Sequence, residues 1–408
     1  MIDAVGIQQA ERRGLLQHAD VLEVPTTGVR AAQPKHMPEL DGIRGLAILG
    51  VLLSHGAGLT GIFDGMNGSV AAILFRLTMI PLWGGVDLFF VLSGFLITGI
   101  LLKTKDSPHY FSSFYARRIL RIFPIYYLTL ISTLIAAHFL FLIHTLLPPT
   151  TLWKVAYFVY LQNWPGFWHG QGMLSGIWGA YWSLAVEEQF YIVWPLFVWL
   201  FSGRALQRLC IFGIICALPL RILLSVYAFG ASFGLAQLTG SRIDGLLAGA
   251  ACALYMAREQ RPLPIGMIKA LGLTGAAIMC YIATFHTIEL IRTNQWIMTL
   301  GITGFVLLST ALVALSQHHT APAQRLLSSK VLQTAGKYSY GMYVYHTLVF
   351  LPFSFYVKSD AGAWTRSNFG IGVLFMLFEF SLVFLIAKLS YDLLEVRFLR
   401  LKMHFKPA

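Results

Sequence analysis

The 408-residue chain is 57% hydrophobic and only 12% charged, and its mean hydropathy is +0.67. A soluble protein of this length needs more polar surface to cover its domain cores, so this composition excludes a soluble multidomain enzyme. The formal net charge of +12 does not indicate a nucleic-acid partner, because the basic residues fall in short clusters between apolar runs. The sequence therefore predicts an all-α, polytopic membrane protein with no nucleic-acid partner.

The N-terminal stretch is polar and lacks the apolar core of a signal peptide. We expect residues 1–37 to form a flexible cytoplasmic tail. Residues 38–400 are predicted to form a transmembrane domain whose first helix is the insertion signal, and residues 401–408 a second cytoplasmic tail.

Apolar runs long enough to cross a membrane begin near residues 44, 84, 119, 182, 208, 243, 266, 295, 338 and 368, which predicts about ten transmembrane helices. If the N-terminus is cytoplasmic, most Lys and Arg residues of the loops fall on the cytoplasmic side, so both termini are expected there, in a bacterial inner membrane. The segment 152–178 is predicted to be re-entrant or interfacial, and 63–81 an outer loop with a short helix.

The first apolar helix carries ionisable residues. Arg44 and His55 are eleven residues apart, which places them on one helical face about 16 Å apart along the axis. An ionisable group deep in a membrane helix by default indicates a functional site, and an imidazole suits proton transfer from a hydroxyl. The alternatives are an interfacial anchor for Arg44 and a backbone-satisfied ring for His55.

A second cluster begins the third helix. Arg118 and Arg121 are three residues apart and so are neighbours on one face, whereas Arg117 points elsewhere. Arginine forks bind phosphates bidentately, so these two residues and Arg44 are candidates for a phosphate-binding mouth on the cytoplasmic side. The alternative is plain positive-inside charge, which explains Arg117 better than Arg121.

Adjacent carboxylates, Glu187 and Glu188, open a later apolar helix. Because adjacent residues diverge by about 100°, we expect one to face a cavity and the other to hold the outer loop, although acidic residues in a first turn often only complement the helix dipole. The weaker candidates, each equally compatible with a structural role, are Asp41, Asp87, Ser93, Arg221, a pair between Arg242 and Asp244, Tyr343 and a second membrane histidine, His346.

Six motifs in order resemble the acyltransferase family 3 membrane proteins, from about Pro38 to Arg400. They are Pro38–Ala47 with His55, Gly85–Ile97, Arg118 with Arg121, Trp182–Tyr191, Arg242–Gly249 and Tyr338–His346. The resemblance implies that residues 38–400 form an acyltransferase transmembrane domain surrounded by membrane lipid. Such a domain moves an acyl group, commonly acetyl, from cytoplasmic acyl-CoA to a hydroxyl of a carbohydrate, glycan or glycolipid. Some members carry a fused extracytoplasmic hydrolase-like domain, which is not expected here.

On that resemblance, the donor acetyl-CoA, or another acyl-CoA, would be held by Arg44, Arg118 and Arg121, with no metal. His55 would be the general base, oriented by Glu187 or Glu188, while Asp41 or Asp87 pairs an arginine and Tyr343 or Ser93 lies near the oxyanion. The rival hypotheses are a transporter of an anionic metabolite or lipid-linked sugar, and a non-catalytic membrane sensor.

Overall fold

The computed structural model describes residues 37–60, 82–140, 145, 147–148, 150–164, 176–227, 237–285, 295–318 and 321–405. Within these ranges the chain is helical and contains no β-strand, so the predicted all-α, polytopic membrane architecture is confirmed. The expected N-terminal tail and the segment 63–81 lie outside the described residues, apart from Met37.

The long helices follow the predicted apolar runs. They are α1 (Pro38–Thr60), α2 (Gly85–Thr104), α3 (Tyr110–Phe139), α5 (Trp182–Leu200), α6 (Gly203–Tyr227), α7 (Thr239–Glu259), α8 (Ile265–Phe285), α9 (Ile302–Ser316), α11 (Lys330–Lys358) and α12 (Phe369–Ser390). Shorter helices are α4 (Thr151–Phe158), α10 (Ala321–Leu327) and α13 (Val396–Leu401). Seven described segments are long and apolar enough to cross a membrane. The long helices outside that set, α5, α7 and α11, carry polar motifs that lower their hydropathy.

The segment predicted to be re-entrant begins with α4, which has only eight residues. At 1.5 Å per residue it extends about 12 Å, far less than the roughly 30 Å of a hydrocarbon core. The chain then turns at Tyr160, whose φ is 55°, and the Tyr160 carbonyl accepts a 2.7 Å hydrogen bond from Nε2 of Gln189. The Tyr160 carbonyl is therefore satisfied by a side chain of α5, and α4 alone is too short to cross a membrane.

Glycines allow α1 and α11 to pack with their backbones in contact. A Cβ added at Gly45 would collide with the Leu332 carbonyl, and one added at Gly336 would collide with the carbonyl of Asp41. Small residues at such crossings are the usual means by which membrane helices approach closely. This crossing fixes the depth of the α1 motif relative to the Tyr338–His346 stretch of α11.

Buried ion pairs join α2, α6 and α7. Nη2 of Arg242 lies 3.0 Å from Oδ1 of Asp87, and Nη1 of Arg221 lies 2.8 Å from Oδ2 of Asp244. The expected pair between Arg242 and Asp244 is wrong. Residues two apart on a helix do not face each other, so each takes its partner from a neighbouring helix.

Candidate functional site

One cavity collects most of the predicted site residues. Its walls come from α1, α2, α3, α5 and α11, and its polar lining comprises Arg44, Ser93, Arg118, Arg121, Ser183, Glu187, Glu188, Tyr191, Ser339, Tyr340 and Tyr343. Apolar side chains such as Phe89 and Phe90 complete the wall. Five of the six sequence motifs thus contribute polar side chains to a single cavity, and one of them, Tyr338–His346, supplies Ser339, Tyr340 and Tyr343.

The arginines of α3 reach the cavity from one helical face, as their spacing predicts. The Arg118 guanidinium lies over the Tyr191 ring at 5.1 Å and near the Phe114 ring at 5.8 Å. Arg44 differs, because its Nη1 lies 2.5 Å from Oδ1 of Asp41 one turn earlier on α1. Within the described part of the chain, neither Arg118 nor Arg121 forms an ion pair or a hydrogen bond.

A further cation near these arginines comes from the C-terminal end of the described chain. Lys402 lies in a short turn of helix after α13 that packs on the start of α3, where the Ser113 hydroxyl donates a 2.6 Å hydrogen bond to the Phe405 carbonyl. Lys402 is within electrostatic range of Arg118 and Arg121. Sequence reasoning treated it only as tail charge, since nothing local indicates which helix it meets.

Both adjacent carboxylates line the cavity, so the expectation that only one faces it is wrong. Oε1 of Glu187 accepts a 2.7 Å hydrogen bond from Oγ of Ser93 on α2, whereas Glu188 is within electrostatic range of Tyr340 on α11. Adjacent residues of a helix diverge by about 100°. The cavity wraps around this end of α5 and receives both.

His55 does not line the cavity, and neither glutamate orients it. Nδ1 of His55 lies 2.8 Å from Nε2 of His346 on α11, and the two ring planes are within 17° of parallel, with centroids 5.1 Å apart. His346 is fully buried, and its Nδ1 lies 2.6 Å from the Tyr343 carbonyl oxygen. The second membrane histidine is therefore the partner of the first, a contact across 291 residues that no local pattern reveals.

Tyr343 lies between the histidine pair and the cavity. Its ring centroid is 5.4 Å from that of His346, and its hydroxyl donates a 2.8 Å hydrogen bond to the Ala180 carbonyl and contacts the Ser183 hydroxyl. A phenol has a single hydrogen to donate. In this arrangement Tyr343 is held in place and is not a ready donor to an oxyanion, and the Ser93 hydrogen is likewise committed to Glu187.

Residues 37–388 match the family model described as an acyltransferase domain. The chain belongs to this acyltransferase family. The arginines, carboxylates and histidines described above all fall inside the matched range, whereas Lys402 falls outside it.

Several curated proteins are similar to this acyltransferase-family chain. The peptidoglycan O-acetyltransferase OatA of Listeria monocytogenes is 27% identical over 383 residues, which cover 88% of this chain and 55% of that protein. The putative peptidoglycan O-acetyltransferase YrhL of Bacillus subtilis is 30% identical over 335 residues, covering 76% and 48%. The O-acetyltransferase OatA of Staphylococcus aureus is 26% identical over 401 residues, covering 89% and 57%. The chain thus spans about half the length of these relatives, and no solved structure matches it.

Proposed function

We propose that this chain is a membrane O-acyltransferase that moves an acyl group, most simply acetyl, from cytoplasmic acyl-CoA to a hydroxyl of a cell-envelope glycan. The observation that carries the proposal is the cavity in which arginines from α1 and α3 meet beside the partly buried pair of His55 and His346. The names of the relatives support acetyl as the group and a glycan as the acceptor. The placement of both termini in the cytoplasm, in a bacterial inner membrane, belongs to the same proposal and rests on the distribution of basic loop residues.

Donor binding is assigned to the arginine side of the cavity. Two guanidinium groups without an ion-pair partner in the described structure, Arg118 and Arg121, are the groups that a diphosphate would satisfy with paired hydrogen bonds. Lys402 adds a further basic side chain at the same end of α3. Arg44, already paired with Asp41, is assigned to the inner part of the phosphate site.

The acyl transfer itself is assigned to His55. His55 takes the proton of the acceptor hydroxyl, the acceptor oxygen attacks the thioester carbonyl carbon, the C–S bond breaks, and the thiolate leaves with the proton that His55 holds. The products are an ester and a free CoA thiol. Because about 16 Å of helix separates Arg44 from His55, the pantetheine arm would cover the distance between phosphates and base.

Glu187 and Glu188 are assigned to the cavity and not to His55. Both lie within electrostatic range of Arg118. We propose that they hold the arginine side chains in position until phosphate oxygens replace them as the nearest anionic partners.

The test measures transfer of labelled acetyl from acetyl-CoA to cell-wall glycan fragments in membranes that contain the protein. Ester-linked label that mild alkali releases, absent from membranes without the protein, is the expected result. Movement of glycan or donor across the membrane with no ester formed would overturn the proposal in favour of the transporter.

A matched pair of variants tests the donor site. Arg118→Gln removes a charge-assisted contact worth about 1.5–3 kcal/mol, which corresponds to roughly a 10- to 150-fold rise in the KM for acetyl-CoA. Arg117→Gln changes an adjacent, exposed arginine outside the cavity lining and is expected to leave that KM nearly unchanged. Equal effects of the two substitutions would contradict the assignment.

A further inference from the structure

The structure assigns His346 as the residue that fixes the tautomer and orientation of His55, and hence sets which nitrogen of His55 accepts the proton. This inference rests on the proposed function, in which His55 is the base. It concerns a residue that touches the base and not the substrate, so His346 is a positioning residue.

The tautomers of both histidines follow from their hydrogen bonds, starting at the Tyr343 carbonyl. A carbonyl oxygen only accepts, so Nδ1 of His346, 2.6 Å from the Tyr343 oxygen, carries a hydrogen. A neutral imidazole with a hydrogen on Nδ1 presents a lone pair on Nε2. Nδ1 of His55, 2.8 Å from that nitrogen, is then the donor.

With its Nδ1 hydrogen donated to His346, a neutral His55 has its lone pair on Nε2. That nitrogen is the one that takes the acceptor proton. Protonation makes the His55 ring positively charged. The hydrogen bond from its Nδ1 to the lone pair of His346 then strengthens, because the donor is charged, and this stabilises the protonated ring. His346 neither gains nor loses a proton in this step, so the balance of the acyl transfer is unchanged.

His346 is well placed to hold this geometry, because its own ring is fixed on several sides. It is fully buried, its Nδ1 is bonded one turn back along α11, and the Phe350 ring packs edge-on with centroids 5.8 Å apart. Tyr343, whose backbone accepts from His346, is anchored in turn by its hydroxyl to the Ala180 carbonyl. The packing of α11 on α1 through Gly336 sets the distance between the rings.

The inference separates the acceptor role of His346 from its packing role. His346→Leu fills the site with an apolar side chain and removes the acceptor for the His55 hydrogen. His346→Gln places an amide oxygen near the former Nε2 position and restores an acceptor. Phe350→Leu removes a ring that packs edge-on against His346 while leaving the hydrogen bonds intact, and is the packing control.

The measurements are kcat and the KM for acetyl-CoA in membranes with matched protein levels, together with a melting temperature in detergent for each variant. A general base contributes about 10²–10⁴-fold, so a misdirected one is expected to lower kcat of His346→Leu at least tenfold with little change in KM. His346→Gln should recover most of that loss, and Phe350→Leu, which keeps both hydrogen bonds of His346, should lower kcat less than His346→Leu does.

The contradicting results are distinct from failure of the proposed function. If His55→Ala is inactive while His346→Leu keeps the wild-type kcat, the positioning role of His346 is wrong and the base assignment stands. Equal loss in His346→Leu and His346→Gln also overturns the inference, since an acceptor at that position would then be irrelevant. If the wild-type protein transfers no acetyl group, the proposed function fails first, and with it this inference.

Discussion

The buried pair between Arg242 and Asp87 gives a prediction that is independent of the reaction. Removing the carboxylate with Asp87→Ala leaves the guanidinium without its counter-ion in a site where the two side chains are only 2% and 1% exposed. At the observed separation of 3.0 Å and an effective dielectric constant of about 20, the lost Coulomb attraction is about 5.5 kcal/mol, an upper estimate of the loss of stability. The rings of Trp83, Phe90 and Trp182, within 6 Å of the guanidinium, contact it in the wild-type protein as well and therefore do not offset this loss. We therefore expect a loss of about 3–5 kcal/mol in the free energy of unfolding.

A double-mutant cycle isolates this pair. Arg242→Met strands the opposite charge and is expected to cost a similar amount, whereas the double variant buries no charge and should be more stable than either single variant. Unfolding of the detergent-solubilised protein, followed by denaturant titration, gives the coupling energy, expected to exceed about 2 kcal/mol. Single-variant losses that simply add, with a coupling below about 0.5 kcal/mol, would refute the reasoning.

Three further predictions concern the cavity and the helix crossing. Glu187→Ala leaves the Ser93 hydroxyl without its acceptor and should lower the free energy of unfolding by about 1–3 kcal/mol. Glu188→Gln should leave the melting temperature unchanged and alter the KM for acetyl-CoA. The reverse pattern would contradict the placement of the two carboxylates. Gly336→Ala drives a Cβ into the Asp41 carbonyl and should sharply lower the melting temperature, while Gly99→Ala, where an added Cβ meets nothing, should be neutral or slightly stabilising. Lys402→Gln should raise the KM for acetyl-CoA several-fold, more at low salt than at high salt, and an unchanged KM would remove Lys402 from the donor site.

Local sequence patterns were sufficient to predict the long helices and the position of Arg118 and Arg121 on one face of α3. Apolar runs of the right length need no tertiary information, and a spacing of three residues places Arg118 and Arg121 side by side on any helix. An arginine was expected to pair with Asp41 or Asp87, and Asp41 pairs with Arg44, three residues further along the same helix. For Asp87 the expected kind of partner, an arginine, is confirmed as well.

Contacts between distant segments were beyond local reasoning. Helical geometry shows that Arg242 and Asp244 point apart, but not which helices bring Asp87 and Arg221 to them. The pairing of His55 with His346 depends on the α1–α11 crossing. That crossing depends on glycines such as Gly45 and Gly336, and nothing in the local sequence distinguishes them from other glycines of the membrane helices. The shape of a cavity is likewise a property of several helices together, which is why the divergence of adjacent carboxylates did not settle what each one faces.

The central claim is that the chain transfers an acyl group with His55 as the base. The most direct measurement compares label transfer from acetyl-CoA to glycan in membranes that contain equal amounts of the wild-type protein and of His55→Ala. The account predicts alkali-labile acetyl ester with the wild type and none above background with the variant. Transfer at the wild-type rate by His55→Ala would contradict it.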